Sequence, residues 1–375
     1  MPGLLPDVDP DGLLEYSVVY TDRSLNHMSQ RFQRVMQELS ATLKSVYGAR
    51  SAVVVPGSGS FGMEAVARQF AHGKKVLVIR NGWFSYRWSQ IFEMGAIPAQ
   101  TQVLKARQAG AGSKSPFAPA PIDEVVATIR RDQPDLVFAP HVETSSGMLL
   151  PPDYLRAVAD AVHGHGGMFV LDCVASGAIW VDMAATGVDI LVSAPQKGWS
   201  STPCAGLVML GEDARQRIDA TTSSSFAMDL KKWLQIMETH EKGAIAYHAT
   251  LPTDGLAQLR DVMQETAAFG WEAARDAQQS LGDRVRALLT AKGIASVAAA
   301  GFRAPGVVVG YTDHADWANT QAFARQGLQI AAGVPLACDE PADFRSFRIG
   351  LFGLDKLKNV DRTVASFERA LSALS

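Results

Sequence analysis

Apolar positions along the chain follow two periods. Short unbroken runs recur at Ala52–Val55, Val76–Ile79, Asp135–Ala139, Met168–Leu171, Ile190–Ser193 and Leu207–Leu210. Between several of them the apolar residues return every three to four positions. In Ser29–Tyr47, Phe32, Val35, Met36, Leu39 and Leu43 share one side of a helix. In Pro152–Val162 a leading proline precedes Leu155, Val158 and Val162. Gly62–Phe70 is a further helical stretch. Strands that are apolar on both faces and alternate with helices predict a mostly parallel sheet covered on both sides.

The pattern changes near Pro252. A long, charged helical region runs from about Gly255 to Lys292, with a break expected at Gly270. Shorter strands follow at Gly306–Tyr311 and Ser346–Leu351. A closing helix carries Val360, Val364, Phe367, Leu371 and Leu374 on one side. The expected organisation is α/β, with a flexible tail (1–12), a large domain (13–265) and a smaller C-terminal α/β domain (266–375).

A length of 375 residues suits two such units. With 47% hydrophobic and 19% charged residues there is enough apolar material for a large core. Asp and Glu number 38 against 35 Lys and Arg, a net charge of −3, so neither nucleic acid nor an anionic membrane is an expected partner. No apolar run approaches the roughly 20 residues that span a bilayer. The opening MPGLLPDVDPDG is acidic and Pro-rich, unlike a signal or transit peptide, and the closing SALS is not a peroxisomal address. Three cysteines make no disulfide framework. The expected location is therefore the cytoplasm.

Four features sit at or near strand ends, where open α/β sheets place their ligands. PGSGS (Pro56–Ser60) joins a strand to a helix. Its small residues allow close backbone approach, and a helix start offers free N–H donors to a phosphate. Asp172 ends a buried strand, where an unpaired carboxylate is costly. It is either a structural cap or ion pair, or a partner for a protonated ring nitrogen. Lys197 lies in SAPQKGW, just beyond the strand Ile190–Val192, where desolvation would lower its pKa. Arg348 sits inside the apolar FRIGLFG and needs an anion, either a structural acid or a substrate carboxylate.

Phosphate loop, acid, lysine and distal arginine, in that order, describe one kind of site. The run FVLDCVASGAIWVDMAATGVDILVSAPQKGW resembles the core motif of the class V aminotransferases, pyridoxal-phosphate enzymes of fold type I, in their alanine–glyoxylate and serine–pyruvate branch. The resemblance extends from NHMS (Asn26–Ser29) to the C-terminus. It implies a pyridoxal 5′-phosphate cofactor held as an imine by Lys197, with Asp172 on the ring nitrogen. It sets Ser58, Gly59 and Ser60 by the cofactor and Gln196 on its phosphate. Phe84 in NGWFSYR becomes the ring-stacking aromatic, with Trp83 as its rival. In HVETSSG, Ser145 becomes the contact to the ring hydroxyl, with Thr144 as alternative. Tyr247 and Thr250 in YHAT resemble a motif that reaches the phosphate from the other subunit, which implies a homodimer with composite active sites. Arg348 matches the substrate-carboxylate arginine. The family's early Gly-Pro-Gly segment is missing here, where GLLEYSVVYTDRSLNHMS stands instead.

The resemblance implies transfer of an amino group from a small amino acid to a 2-oxo acid such as glyoxylate or pyruvate. The alternatives on the same fold are a lyase or cysteine desulfurase, or a phosphonate transaminase. A desulfurase usually carries His before the lysine and a nucleophilic cysteine on a distal loop. Here Gln196 precedes Lys197, and Cys338 lies in no such motif. A cofactor-sensing binding protein is a rival of another class, for which no DNA-binding appendage is visible. His163 and His165 in HGHGG lack a third ligand, so no metal site is expected. Cys173 reads as a packed residue, and Cys204 as one to examine for its nearness to Lys197.

Overall fold

The computed structural model describes residues 13–374, so the expected tail at 1–12 lies outside the described residues. Seven strands form the main sheet: β1 (Ser51–Pro56), β2 (Lys75–Arg80), β3 (Gln100–Lys105), β4 (Leu136–Pro140), β5 (Met168–Asp172), β6 (Ile190–Ser193) and β7 (Ala205–Leu210). Their order is β1-β7-β6-β5-β4-β2-β3. Strand β7 runs antiparallel to both neighbours, and the other pairs are parallel. All residues of β4, β5, β6 and β7 are buried, as their unbroken apolar runs require.

Strand β3 was not expected. Its sequence QTQVLK is polar, its residues are exposed or half-buried, and it forms the sheet edge, so no apolar run marks it.

The helices follow their stripes. Helix α1 (Gln30–Tyr47) begins at Ser29, whose hydroxyl accepts the Phe32 N–H, and buries Phe32, Val35, Met36, Leu39, Leu43 and Tyr47. Helix α2 (Gly59–Phe70) starts inside PGSGS, earlier than its apolar pattern indicates, so Gly59 and Ser60 lie in its first turn. Helix α3 (Trp83–Gly95) follows β2. The long region divides into Thr253–Phe269 and Trp271–Ala291, broken at Gly270. The proposed domain division at 265/266 falls in the last turn of the first of these.

A second sheet of three antiparallel strands orders Val307–Tyr311, Ser346–Gly350 and Ala331–Ala332, with Arg348 paired to Val309 on one side and Ala331 on the other. A smaller apolar cluster binds the two parts. It joins Ala106, Phe117, Val142, Met148 and Ala175 to Val297, Val307, Val309, Leu336 and Cys338.

Candidate active site

The loops at the carboxyl ends of the parallel strands converge on one cavity. Its lining includes Ser58, Gly59 and Ser60 after β1, Phe84 after β2, Thr144 after β4, Asp172 at the end of β5, and Gln196 and Lys197 after β6. Eight residues named from the sequence, Thr144 among them as the alternative to Ser145, therefore share one space, drawn from positions up to 139 apart in the chain (Ser58 to Lys197).

Asp172 is held by the sheet itself. Its backbone is paired to Pro140 and Val192, and its carbonyl accepts the His141 N–H at 2.8 Å. The carboxylate accepts the Val174 N–H at 2.9 Å. Burial pushes its pKa up to about 6, only partly opposed by that bond and by the Lys197 charge. A carboxyl in this state favours a cationic or protonated partner.

Lys197 is fixed by its C-terminal neighbours. Gly198 lies so close to Gly177 that an added Cβ would sit 2.2 Å from the Gly177 carbonyl oxygen. Trp199 is buried against Tyr47, Trp180 and Trp271, with ring centroids 6.1, 5.7 and 5.9 Å away. The loop closes through Ser200 N–H to the Lys197 carbonyl at 3.0 Å. Burial lowers the Lys197 pKa, with Asp172 opposing. The amine lies 5.7 Å from the Phe84 ring centroid and 6.0 Å from that of Phe352.

Phe84 is the meeting point of three cations. Besides Lys197, the guanidiniums of Arg87 and Arg348 lie 5.3 and 5.5 Å from its ring centroid. Arg348 donates from Nε to the Ala332 carbonyl at 2.7 Å. An ion pair was one expectation for this arginine; a carbonyl and a ring face are the partners found. Arg345, three residues earlier, is exposed and bonds the Asp313 carbonyl instead. Trp83, the rival to Phe84, turns its ring to Tyr86 and does not line the cavity.

The two residues expected at the ring hydroxyl lie in different places. Ser145 is buried with its Oγ occupied, accepting the Trp83 N–H at 2.9 Å and donating to Glu143 at 2.7 Å. Thr144, the alternative, lines the cavity. Tyr247 and Thr250 do not line the cavity of their own chain. Tyr247 is 55% exposed, and its hydroxyl lies 3.3 Å from Thr250 Oγ1.

Three residues near the site are ones that sequence patterns did not single out. Arg87 lines the cavity and donates to Ser60 Oγ at 2.9 Å. Its signal was available, because it lies three residues from Phe84 on the same helix face. His141 contacts Ser176 Oγ at 2.7 Å and is held neutral, its pKa lowered to about 4 by burial. Glu143 is fully buried beneath the start of α3. Nothing local in HVETSSG distinguishes it from a surface acid.

The remaining candidates fall elsewhere. His163 bonds Asp189 and His165 bonds the Pro134 carbonyl. Among the described residues no group of three His, Cys, Asp or Glu could hold a metal ion. Cys173, Cys204 and Cys338 are all buried and none lines the cavity. Burial pushes the Cys204 thiol up to about 11 and Cys338 up to about 12, far from the reactive thiolate a desulfurase uses. No helix among the described residues is long and apolar enough to cross a membrane.

These features fit a pyridoxal-type group. The start of α2 suits a phosphate, Phe84 offers a ring face, the raised Asp172 suits a protonated ring nitrogen, and the depressed Lys197 suits a carbonyl carbon.

Comparison with known proteins points the same way. Residues 13–350 match the family described as Aminotransferase class-V. The chain is 26% identical to an alanine–glyoxylate aminotransferase of Oryctolagus cuniculus over 92% of this chain and 86% of that protein. It is 28% identical to a 2-aminoethylphosphonate–pyruvate transaminase of Burkholderia lata over 92% and 89%. The solved structure of an alanine–glyoxylate aminotransferase from Nostoc sp. superimposes with a TM-score of 0.75 at 21% identity, covering 92% of this chain and 88% of that one. With the match spanning nearly the whole chain, this protein belongs to the class V aminotransferases, pyridoxal-phosphate-dependent enzymes of the fold-type I architecture.

Proposed function

We propose that this aminotransferase moves an amino group from a small amino acid to a 2-oxo acid such as glyoxylate or pyruvate. The observation that carries the reading is Arg348, whose guanidinium lies over the Phe84 ring that Lys197 also faces, at the edge of the residues lining the cavity, while its found partners are a carbonyl and a ring. A planar fork so placed suits a substrate α-carboxylate held bidentately.

Bound pyridoxal phosphate supplies the electron sink at the donor's Cα and carries the amino group between the two half-reactions. Lys197 would hold it through Nζ. The same Nζ, when free, would be the base that takes the proton from the donor's Cα, a role its lowered pKa favours. Asp172 keeps a proton on the ring nitrogen. The backbone around Ser58, Gly59 and Ser60, with Gln196, binds the phosphate, and Arg87 steadies Ser60. Thr144 takes the ring-hydroxyl contact in place of Ser145. Arg348 orients the donor for proton removal.

The proposed working unit is a homodimer in which Tyr247 and Thr250 reach the cofactor phosphate of a second copy. The exposure of Tyr247, and of Phe226 and Ile245 near it in the chain, supports contact with that copy. Mixing Lys197→Ala with Tyr247→Ala under subunit exchange should restore some activity; an active, cofactor-loaded monomer refutes the arrangement.

The phosphonate transaminases among the relatives support a second reading, an aminophosphonate donor bound by the same arginine. A donor panel decides. Alanine, serine and 2-aminoethylphosphonate are each added alone, and loss of the cofactor's visible absorbance is followed. Discharge by a small amino acid supports the first reading and discharge by the phosphonate alone the second. Discharge by none of the panel overturns both.

A further inference from the structure

We infer that Glu143 is a positioning residue whose buried carboxylate fixes Phe84 and Thr144 relative to each other, and so sets how the cofactor ring is held. The inference rests on the proposed roles of Phe84 and Thr144 as contacts to that ring.

Glu143 is fully buried, a costly place for a carboxylate unless its lone pairs are satisfied. They are. It accepts the Phe84 N–H at 3.2 Å, the Ser85 N–H at 2.8 Å and the Ser85 hydroxyl at 2.8 Å. From the turn that follows its own short strand it accepts the Ser145 N–H at 3.1 Å and the Ser145 hydroxyl at 2.7 Å. Every one of these donors is neutral. The carboxylate thus lies at the start of α3, where free N–H groups and the helix dipole favour a negative charge.

What matters is which elements it joins. Three of the bonds go to the first turn of α3 and two to the short hairpin formed by Val142–Glu143 and Met148–Leu149. Phe84 is one of the residues bonded, and Thr144 is the residue between Glu143 and Ser145. One carboxylate therefore ties the backbone bearing the ring-face contact to the backbone bearing the ring-hydroxyl contact. Gly82 makes the approach feasible. A Cβ there would sit 2.0 Å from Ser145 Oγ and 2.6 Å from Glu143 Cγ.

Glu143→Gln keeps the shape but turns one acceptor oxygen into an N–H₂ donor facing neighbouring donors. The mutant is compared as full-length holoenzyme with wild type, each saturated with pyridoxal phosphate. Its visible circular dichroism, which reports how the protein holds the ring, should change while loading is complete. Cofactor affinity should fall about tenfold to a hundredfold, the equivalent of losing a charge-assisted hydrogen bond. Turnover should fall in the fully loaded variant as well. A fully loaded Glu143→Gln with the wild-type spectrum and wild-type kcat overturns the inference. Should that variant fail to fold, Ser85→Ala decides, since it removes one donor to the carboxylate. A changed band in the fully loaded variant supports the inference, and an unchanged band overturns it. Phe84→Leu separates the two levels. If it leaves the spectrum unchanged, the ring-stacking reading of Phe84 falls; if it alters the spectrum while Glu143→Gln does not, only the role of Glu143 falls.

Discussion

The carboxyl rim of the seven-stranded sheet and the small three-stranded sheet hold their site residues in different ways. Asp172 and Lys197 come from the rim, where buried strands and a buried tryptophan fix the backbone on every side. Arg348 comes from the middle of Ser346–Gly350, between Val309 and Ala331, and its neighbours Ala332 and Gly350 are exposed. The loop preceding that strand holds Ala337 and Asp339 in left-handed conformations. On the proposed roles, cofactor chemistry rests on fully buried strands and substrate recognition on a strand with exposed neighbours.

Mutations can break or sharpen this division. Lys197→Ala should have the largest effect, abolishing borohydride-reducible attachment of the cofactor and lowering turnover by about 10²–10⁴-fold or more. Recovery of a reduced phosphopyridoxyl adduct on another lysine would refute the assignment. Asp172→Asn should still load cofactor but lose roughly 10²-fold in kcat; near-normal turnover in a loaded mutant counts against it.

The same residue gives a pH test on the cofactor-free protein. Its folded pKa of about 6 lies above the ordinary value of 3.8, so the buried carboxyl prefers to be protonated. The stability this contributes is present below about pH 4 and lost as pH rises through about 6, amounting to roughly 3 kcal/mol. Thermal melts of the apoprotein across that window should fall with pH more steeply than those of Asp172→Asn. Parallel curves would show that the burial is relieved in solution.

On the smaller sheet, Arg348→Lys keeps the charge but loses the fork. A cost of about 1.5–3 kcal/mol, one to two decades in kcat/KM, is expected with cofactor loading unchanged. If loading falls in parallel, the two regions are not separable. Arg345→Ala is the smallest effect, within roughly 0.5 kcal/mol in stability and little in turnover. The reverse ranking of the two arginines would mean a wrong strand assignment.

The legible parts of this molecule were those encoded by adjacent residues. Strands β4 to β7 announce themselves because burial on both faces leaves polar side chains only at the carboxyl ends of β5 and β6, at Asp172 and Ser193. Lys197 and Asp172 were found because each lies just beyond or at the end of such a run. Strand β3 stayed hidden because an edge strand has no need to be apolar. The choice between Thr144 and Ser145 turned on which way successive side chains point in the hairpin. The bond from Ser145 to the start of α3, 62 residues away, favours Thr144, and no local pattern carries that information. Glu143 was missed for the same reason, since its partners on α3 become neighbours only in the fold.

Strand β7 has a consequence for the order in which the molecule can be made. It pairs with β1 along its whole length, from Ser51 with Leu210 to Pro56 with Ala205, and the Gly57 N–H bonds the Cys204 carbonyl just beyond. The turn that seats the start of α2 thus waits for a partner about 150 residues later in the chain. During synthesis β1 and α2 emerge early, yet they cannot dock beside β6 until β7 has left the ribosome and inserted between them. Closing so long a loop is entropically slow, and until it happens the unpaired β1 and β6 present open apolar edges. A chain stopped short of residue 205 should therefore aggregate rather than fold into a smaller cofactor-binding unit, however intact its first six strands.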